Sequence, residues 1–212
     1  MTISKPCPLC NGTSEDFFQW KKRIWYTCTH CHAIFPPNDL IPDKAAEKSR
    51  YEEHHNDVNN PGYQNFVSPI VEAVKTYFTE KHHGLDFGAG TGPVAAKLLF
   101  DENYKVELYD PFFHYHPHLL QLQYDYILSC EVVEHFHNPA KEFAMLKNLL
   151  KENGKLFCMT TLYNDEINFK TWNYKDDSTH VFIYRLKTFE YIQKTFDFSD
   201  LRIEKNLIIL SA

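Results

Sequence analysis

The sequence predicts an α/β fold: an open, doubly wound sheet that takes up most of the chain, with a small cysteine-bearing module ahead of it. Three observations predict this. A glycine-rich turn, Leu85-Asp86-Phe87-Gly88-Ala89-Gly90-Thr91-Gly92, follows a short apolar run and leads into a helix-patterned segment. From Gly84 onward strand and helix signals alternate, as they do where helices cover both faces of a parallel sheet. Four of the six cysteines stand in two C-x-x-C pairs near the N-terminus. These features divide the chain into a cysteine ribbon over 1–36, a helical lead-in and cap over 37–83, and the sheet domain over 84–212.

The length, 212 residues, suits one full α/β domain plus a small appendage. A formal net charge of -6 repels polyanions, so nucleic acid is not an expected partner. Lys21, Lys22 and Arg23 form a local basic cluster that also reads as a solvated turn. No apolar run approaches the roughly 18 residues of a membrane helix, and Cys7-Pro8 stands where a signal peptide would have its apolar core. The expectation is a cytoplasmic protein with no membrane partner.

Cys7-Pro8-Leu9-Cys10 and Cys28-Thr29-His30-Cys31 are separated by 17 residues, within the spacing of zinc sites built from two knuckles. Four thiolates complete a tetrahedral shell with no open position, so Cys7, Cys10, Cys28 and Cys31 predict a structural zinc, with a metal-free ribbon as the alternative. His30 and His32 could substitute as ligands. Phe17–Trp20 and Ile24–Tyr26 read as two short strands around the basic turn, the outline of a zinc ribbon. A module this small has too little core to fold alone, so metal would supply much of its folding free energy. Cys130 and Cys158 lie in apolar runs and read as inert core residues.

Pro36-Pro37 ends the ribbon. A helix is expected from Ala45 through the Tyr51–Asn56 region, fading at Asn59-Asn60-Pro61-Gly62, and a second over 64–79 from the fourfold spacing of Phe66, Ile70, Val74 and Phe78. Strands are expected at 84–87, 105–109, 125–130 and 155–160, and helices at 92–101, 139–150 and 188–196. The region 201–211 reads as a terminal strand, its Leu207–Leu210 run buried and central. The polar-aromatic segment 163–185 is long for a plain connection, which favours a lid or binding loop.

The glycine turn departs from the dinucleotide fingerprint at position 93, where a third glycine is replaced by Pro93. What remains, Asp86-x-Gly88-x-Gly90-x-Gly92, resembles the first motif of the class I S-adenosylmethionine-dependent methyltransferases, whose sheet is Rossmann-like. The resemblance implies that Gly88, Ala89 and Gly90 wrap the methionine portion of the cofactor, with Asp86 orienting the loop and reaching toward its ammonium. Asp110 ends the second strand, 22 positions after Gly88, where its carboxylate could accept the ribose hydroxyls or merely cap a turn. The run Tyr124–Phe136 is similar to the family's fourth-strand motif ending in Glu-x-x-Glu-His. That similarity places Glu131 at a strand end in the cofactor site and His135 one turn on. Tyr124 follows Asp110 by only 14 positions, too few for the family's third strand and helix. A reduced sheet edge is expected, with Pro111 and Phe112 or Phe113 covering the adenine, or those rings serving as core.

Tyr51-x-x-His54-x-Asn56, Asp110-Pro111-Phe112-Phe113, Trp172-x-Tyr174 and Asp177-Ser178-Thr179-His180-Val181 resemble a bacterial group of small methyltransferases of the methyltransferase 23 type, several with an N-terminal C-x-x-C ribbon. On this reading His135 and His180 are the candidate catalytic bases, and Tyr51, His54, Tyr174 and Asp177 the candidate acceptor-pocket residues. The acceptor expected is a small polar molecule. The alternatives are a macromolecule, protein or RNA, docked through the ribbon, and a non-catalytic protein that binds S-adenosylmethionine.

Overall fold

The computed structural model describes residues 5–20, 23–53 and 57–212, so the basic pair Lys21 and Lys22 and the candidate acceptor residue His54 lie outside the described residues. Among those described, the N-terminal module is a three-stranded antiparallel sheet: β1 (Ser14–Trp20), β2 (Arg23–Cys28) and β3 (Ile34–Phe35). β3 was not expected. It is two residues long, too short for a periodic signal, and pairs antiparallel with β2 through Tyr26–Phe35 and Thr27–Ile34, while Ile34 also bridges out of the ribbon. Its N–H donates to the Ile183 carbonyl at 2.9 Å and the Ile183 N–H returns the bond at 2.8 Å.

α1 (Lys44–Glu52) starts at Asp43, whose carboxylate accepts from the Ala45 and Ala46 N–H groups. α2 (Pro61–Tyr77) begins three residues before the expected position. Asn60 caps it by accepting from Gly62 and Tyr63, and Pro61 occupies the first turn, where a missing N–H costs nothing. The Asn-Pro-Gly sequence that read as a breaker is therefore a helix start. Pro69 deprives the Asn65 carbonyl of its helical donor, and the Ser68 hydroxyl supplies one at 2.8 Å.

The main sheet has six strands in the order β5-β4-β6-β7-β9-β8: β4 (His83–Phe87), β5 (Lys105–Tyr109), β6 (Tyr124–Cys130), β7 (Leu150–Met159), β8 (Asp200–Glu204) and β9 (Leu207–Ser211). β4 to β7 are parallel, and β9 pairs antiparallel with both β7 and β8. The expected terminal strand is thus a hairpin, turned at Lys205 (φ 58°) and Asn206 without the glycine that would have announced it. As expected, Leu207–Leu210 is buried, between β7 and β8. β5 is the sheet edge, and a tight Asp110–His114 turn with a short 3-10 turn at Pro117–Gln121 fills the span the sequence marked as reduced.

Alternation along the strands sends side chains to two separate cores. Tyr126, Leu128, Phe157 and Ile209 face α2 and α3 (Val94–Asp101). Ile127, Leu156, Cys158 and Ile208 face α4 (Pro139–Leu149) and α5 (Leu186–Thr195). This second core also takes in Cys7, Tyr26, Cys28, Cys31 and Phe35, so the ribbon packs into the body of the protein. No helix among the described residues is long and apolar enough to cross a membrane.

Candidate functional site

Beyond the carboxyl ends of β4, β5 and β6 lies a cavity of about 970 Å³. The glycine turn forms one wall. Gly88 takes φ +88° and Gly90 φ +60°, backbone that side chains resist, and a Cβ on Gly88 would lie 2.5 Å from the Val132 methyls. Gly88 and Ala89 donate to the Tyr109 carbonyl at 2.8 and 3.1 Å, which draws the turn over β5. Asp86 is buried at the foot of the turn. Burial, and then the charge of Asp110, push its carboxyl up to about 7.

Asp110 serves the backbone first. Oδ1 accepts from the Phe112 and Phe113 N–H groups at 2.7 and 3.0 Å, and Oδ2 from the Gly90 N–H at 3.0 Å. Its carboxylate thus builds the turn that was the alternative reading, and Oδ2 keeps a lone pair on the cavity wall. Pro111 and Phe112 line the wall beside it, Phe112 with its ring 5.9 Å from that of Tyr51. Glu131 follows β6 directly at φ 54°. Its Oε1 is buried with no hydrogen-bond partner among the described residues, and burial together with the Glu134 charge pushes it up to about 8. An open glycine cradle flanked by buried carboxylates fits a cofactor that brings a cation and polar hydroxyls, as S-adenosylmethionine does.

The opposite end brings together Tyr51, His135, Tyr174, Asp177 and His180. The His135 ring lies 5.2 Å from Tyr51 and 5.0 Å from His180. His135 Nδ1 donates to the Thr179 carbonyl at 2.8 Å, and His180 Nδ1 to the Tyr174 carbonyl at 2.6 Å. Burial pushes the His180 imidazole down, against the opposing charge of Glu134. Tyr174 and Asp177, expected in the acceptor pocket, line the cavity but have structural partners. The Tyr174 hydroxyl donates to Glu134 Oε1 at 2.7 Å. Asp177 takes the Arg50 guanidinium at 2.8 Å and caps Thr179, which hold its carboxyl well below the usual range although burial works to raise it. Sequence reasoning passed over Arg50 and left Glu134 without a role. Glu134 stood in the quoted Glu-x-x-Glu-His run, whereas Arg50 had no local signal. Cys158 is buried as expected, and Cys130, partly buried, packs against the core under α2 and α3 while also lining the cavity.

The four ribbon sulfurs lie within 4.8 Å of one another, with Cys7–Cys31 at 3.5 Å and Cys10–Cys28 at 3.3 Å. Backbone N–H groups of Gly12 and of His30 and Cys31 point at the Cys10 and Cys28 sulfurs. Each knuckle closes on a left-handed residue, Asn11 (φ 55°) and His32 (φ 61°). The all-sulfur set fits zinc, whose thiolates sit about 2.3 Å from the ion. The histidines are not in the cluster; His30 instead rests its ring 5.2 Å from Tyr191 on α5. The ribbon's other face meets the 163–185 segment, where Trp25, Ile34, Tyr163, Phe169 and Ile183 form a third core.

Solved structures share this fold. The 1,6-didemethyltoxoflavin-N1-methyltransferase of Burkholderia thailandensis, solved with 1,6-didemethyltoxoflavin and S-adenosylhomocysteine, superposes with a TM-score of 0.55 at 13% identity, over 93% of this chain and 98% of that one. A SAM-dependent methyltransferase from Archaeoglobus fulgidus gives 0.54 at 15%, over 70% and 94%. An O-methyltransferase family protein from Burkholderia thailandensis gives 0.53 at 13%, over 78% of this chain and 61% of that one. The chain thus spans about three fifths of the length of that O-methyltransferase structure, and 56% of another from Nostoc punctiforme. No curated protein matches the sequence. Residues 62–203, more than half of the chain, match the family described as methyltransferase domain, of the methyltransferase 23 type, and the chain belongs to that family, with the class I S-adenosylmethionine-dependent fold.

Proposed function

We propose that this protein transfers a methyl group from S-adenosylmethionine to a small polar acceptor. The observation that carries the reading is the single cavity of about 970 Å³, which joins the Asp86–Gly90 turn at one end to His135 and His180 at the other. Asp86, Gly88, Ala89, Gly90, Asp110, Pro111, Phe112 and Glu131 are the proposed cofactor-binding residues. Bound there, S-adenosylmethionine supplies an electrophilic methyl group on a sulfonium. Methyl transfer is an in-line displacement, so the main task of the protein is positioning. Tyr51 and Phe112 wall the acceptor against the turn. The imidazoles of His135 and His180, with Nδ1–H donated to carbonyls, carry their lone pairs on Nε2, the atom that can take up an acceptor proton.

A small acceptor is also supported by the ribbon's packing into the body, and by small-molecule names among proteins of this fold, including human N-acetylserotonin methyltransferase. We read Cys7, Cys10, Cys28 and Cys31 as the ligands of a structural zinc, in keeping with a reducing, cytoplasmic setting. The division into ribbon (1–36), cap (37–83) and cofactor domain (84–212) gives the cap residue Tyr51 to the acceptor. Calorimetric titration of the zinc-loaded protein with S-adenosylmethionine and S-adenosylhomocysteine tests the reading. Both should bind at one site, and binding of neither would overturn it.

A further inference from the structure

The acceptor end holds a set of donors that a proton-transfer role does not exhaust. One oxygen of Glu134 and one nitrogen each of His135 and His180 lie within 4.8 Å of one another. We propose that these three side chains bind a divalent transition-metal cation, distinct from the ribbon zinc, and that the acceptor is a hydroxyl-bearing compound whose oxygen fills an open position on it. The proposal deepens the methyltransferase reading and rests on it for the identity of this end of the cavity.

The hydrogen bonds behind the three groups carry the argument. A carbonyl can only accept, so His135 and His180 both donate Nδ1–H, to Thr179 and Tyr174, and both carry the lone pair on Nε2. Histidines that ligate metals are held this way, with the second nitrogen donated to a carbonyl or carboxylate. One proton acceptor needs one such ring. Two rings of the same tautomer, 5.0 Å apart and beside a buried carboxylate, make a ligand set. Glu134 is fixed as well: Oε1 accepts from Tyr174 at 2.7 Å and Oε2 from the Thr160 hydroxyl at 3.1 Å, and each oxygen retains a lone pair. Its backbone carbonyl accepts from the Val181 and Phe182 N–H groups, both at 3.0 Å, which ties the 3-10 turn Val133–His135 to the extended residues that follow His180.

The donor chemistry narrows the ion. Ligand atoms around a four-coordinate ion at about 2.0–2.2 Å lie roughly 3–4 Å apart, so atoms already within 4.8 Å of one another need only a small approach to close on it. Two imidazoles and a carboxylate suit Mn²⁺, Fe²⁺, Co²⁺ or Zn²⁺, whereas the four ribbon thiolates select zinc. Three protein ligands leave positions open toward the cavity, which His135 and His180 line. A hydroxyl bound there becomes more acidic and gives its proton to solvent water in the open cavity, so with the cation bound the two imidazoles act as ligands and not as bases.

The probe is Mn²⁺, which thiolate sites take poorly. Protein carrying one equivalent of zinc per chain, which the four thiolates take first, is titrated with Mn²⁺, with free Mn²⁺ followed by its paramagnetic resonance signal, and S-adenosylhomocysteine binding is measured on the same samples. One Mn²⁺ per chain is expected, with affinity reduced at least tenfold in His180→Ala and in Glu134→Gln, while His180→Ala still binds S-adenosylhomocysteine. Absence of Mn²⁺ binding in wild-type protein that binds S-adenosylhomocysteine overturns the cation site and leaves the methyltransferase reading standing. Mn²⁺ binding that survives in folded His180→Ala also overturns it. Wild-type protein that binds Mn²⁺ but no S-adenosylhomocysteine overturns the methyltransferase reading, and the assignment of the acceptor with it.

Discussion

Asp86 shows what burial does to a carboxylate. Its native pKa, about 7, stands above the ordinary 3.8, so the folded chain holds the extra proton between about pH 4 and pH 7 and ligand-free stability falls as pH rises through that window. At about 1.4 kcal/mol per pH unit the penalty above pH 7 is roughly 4 kcal/mol. Asp86→Asn should therefore melt higher than wild type at pH 8, the gap closing near pH 4, and should bind S-adenosylmethionine at least tenfold more weakly. Wild-type affinity should strengthen between pH 6 and pH 8, and a flat calorimetric profile would refute the assignment. Gly88→Ala forces a side chain into φ +88° and against Val132, at a strain of about 1–3 kcal/mol. Its expected signature is loss of cofactor affinity out of proportion to the drop in melting temperature. Both residues were legible in the sequence because a strand-turn-helix site is local. The two local bonds by which Asp110 caps its own turn were among the readings its sequence offered, but the third was not, since nothing in its own stretch reveals that Gly90, 20 positions earlier, donates to it.

Elements were legible where a period or a cap announced them. The parallel strands β4 to β6 and helices α3 and α4 fall within two residues of expectation, because apolar runs bounded by turn residues give the signal directly. The start of α2, β3 and the C-terminal hairpin escaped, decided in turn by a cap, a two-residue ladder and a turn without glycine. The contact between α1 and the 163–185 segment is of the same kind: Arg50 and Asp177 are 127 positions apart. Their 2.8 Å pair, with Arg50 partly exposed, contributes about 1 kcal/mol or less to stability. The pair also ties α1, which carries Tyr51, to the segment that carries His180, both residues proposed to line the acceptor site. Arg50→Ala should leave S-adenosylmethionine affinity unchanged, speed amide exchange over 44–53, and raise the acceptor KM several-fold. Unchanged exchange would mean that α1 is held by something else, with the buried Glu47–His137 contact at 2.7 Å the next candidate.

At the scale of the molecule, the two cysteine pairs gave the ribbon from sequence, but they read as a self-standing unit and gave no sign of how it joins the rest. Cys28, Cys31 and Phe35 share a core with Phe182, Tyr184 and Leu156, and on the other face Phe17, Phe18, Trp25 and Tyr163 pack edge-on around Phe169 at 5.0–5.5 Å. The segment that carries Tyr174 and His180 is therefore held between the ribbon and the main sheet. If zinc organises the ribbon, its removal should be felt at the acceptor end, well away from the sulfurs. Chelation should lower the melting temperature of the whole chain in one cooperative transition and weaken acceptor binding, with cofactor binding less affected. Phe169→Ala should reproduce the effect with the metal in place, since deleting a buried aromatic ring costs about 3–5 kcal/mol. Two separate calorimetric transitions after chelation, the larger at the wild-type temperature, would show instead that the ribbon is a passenger on the sheet domain.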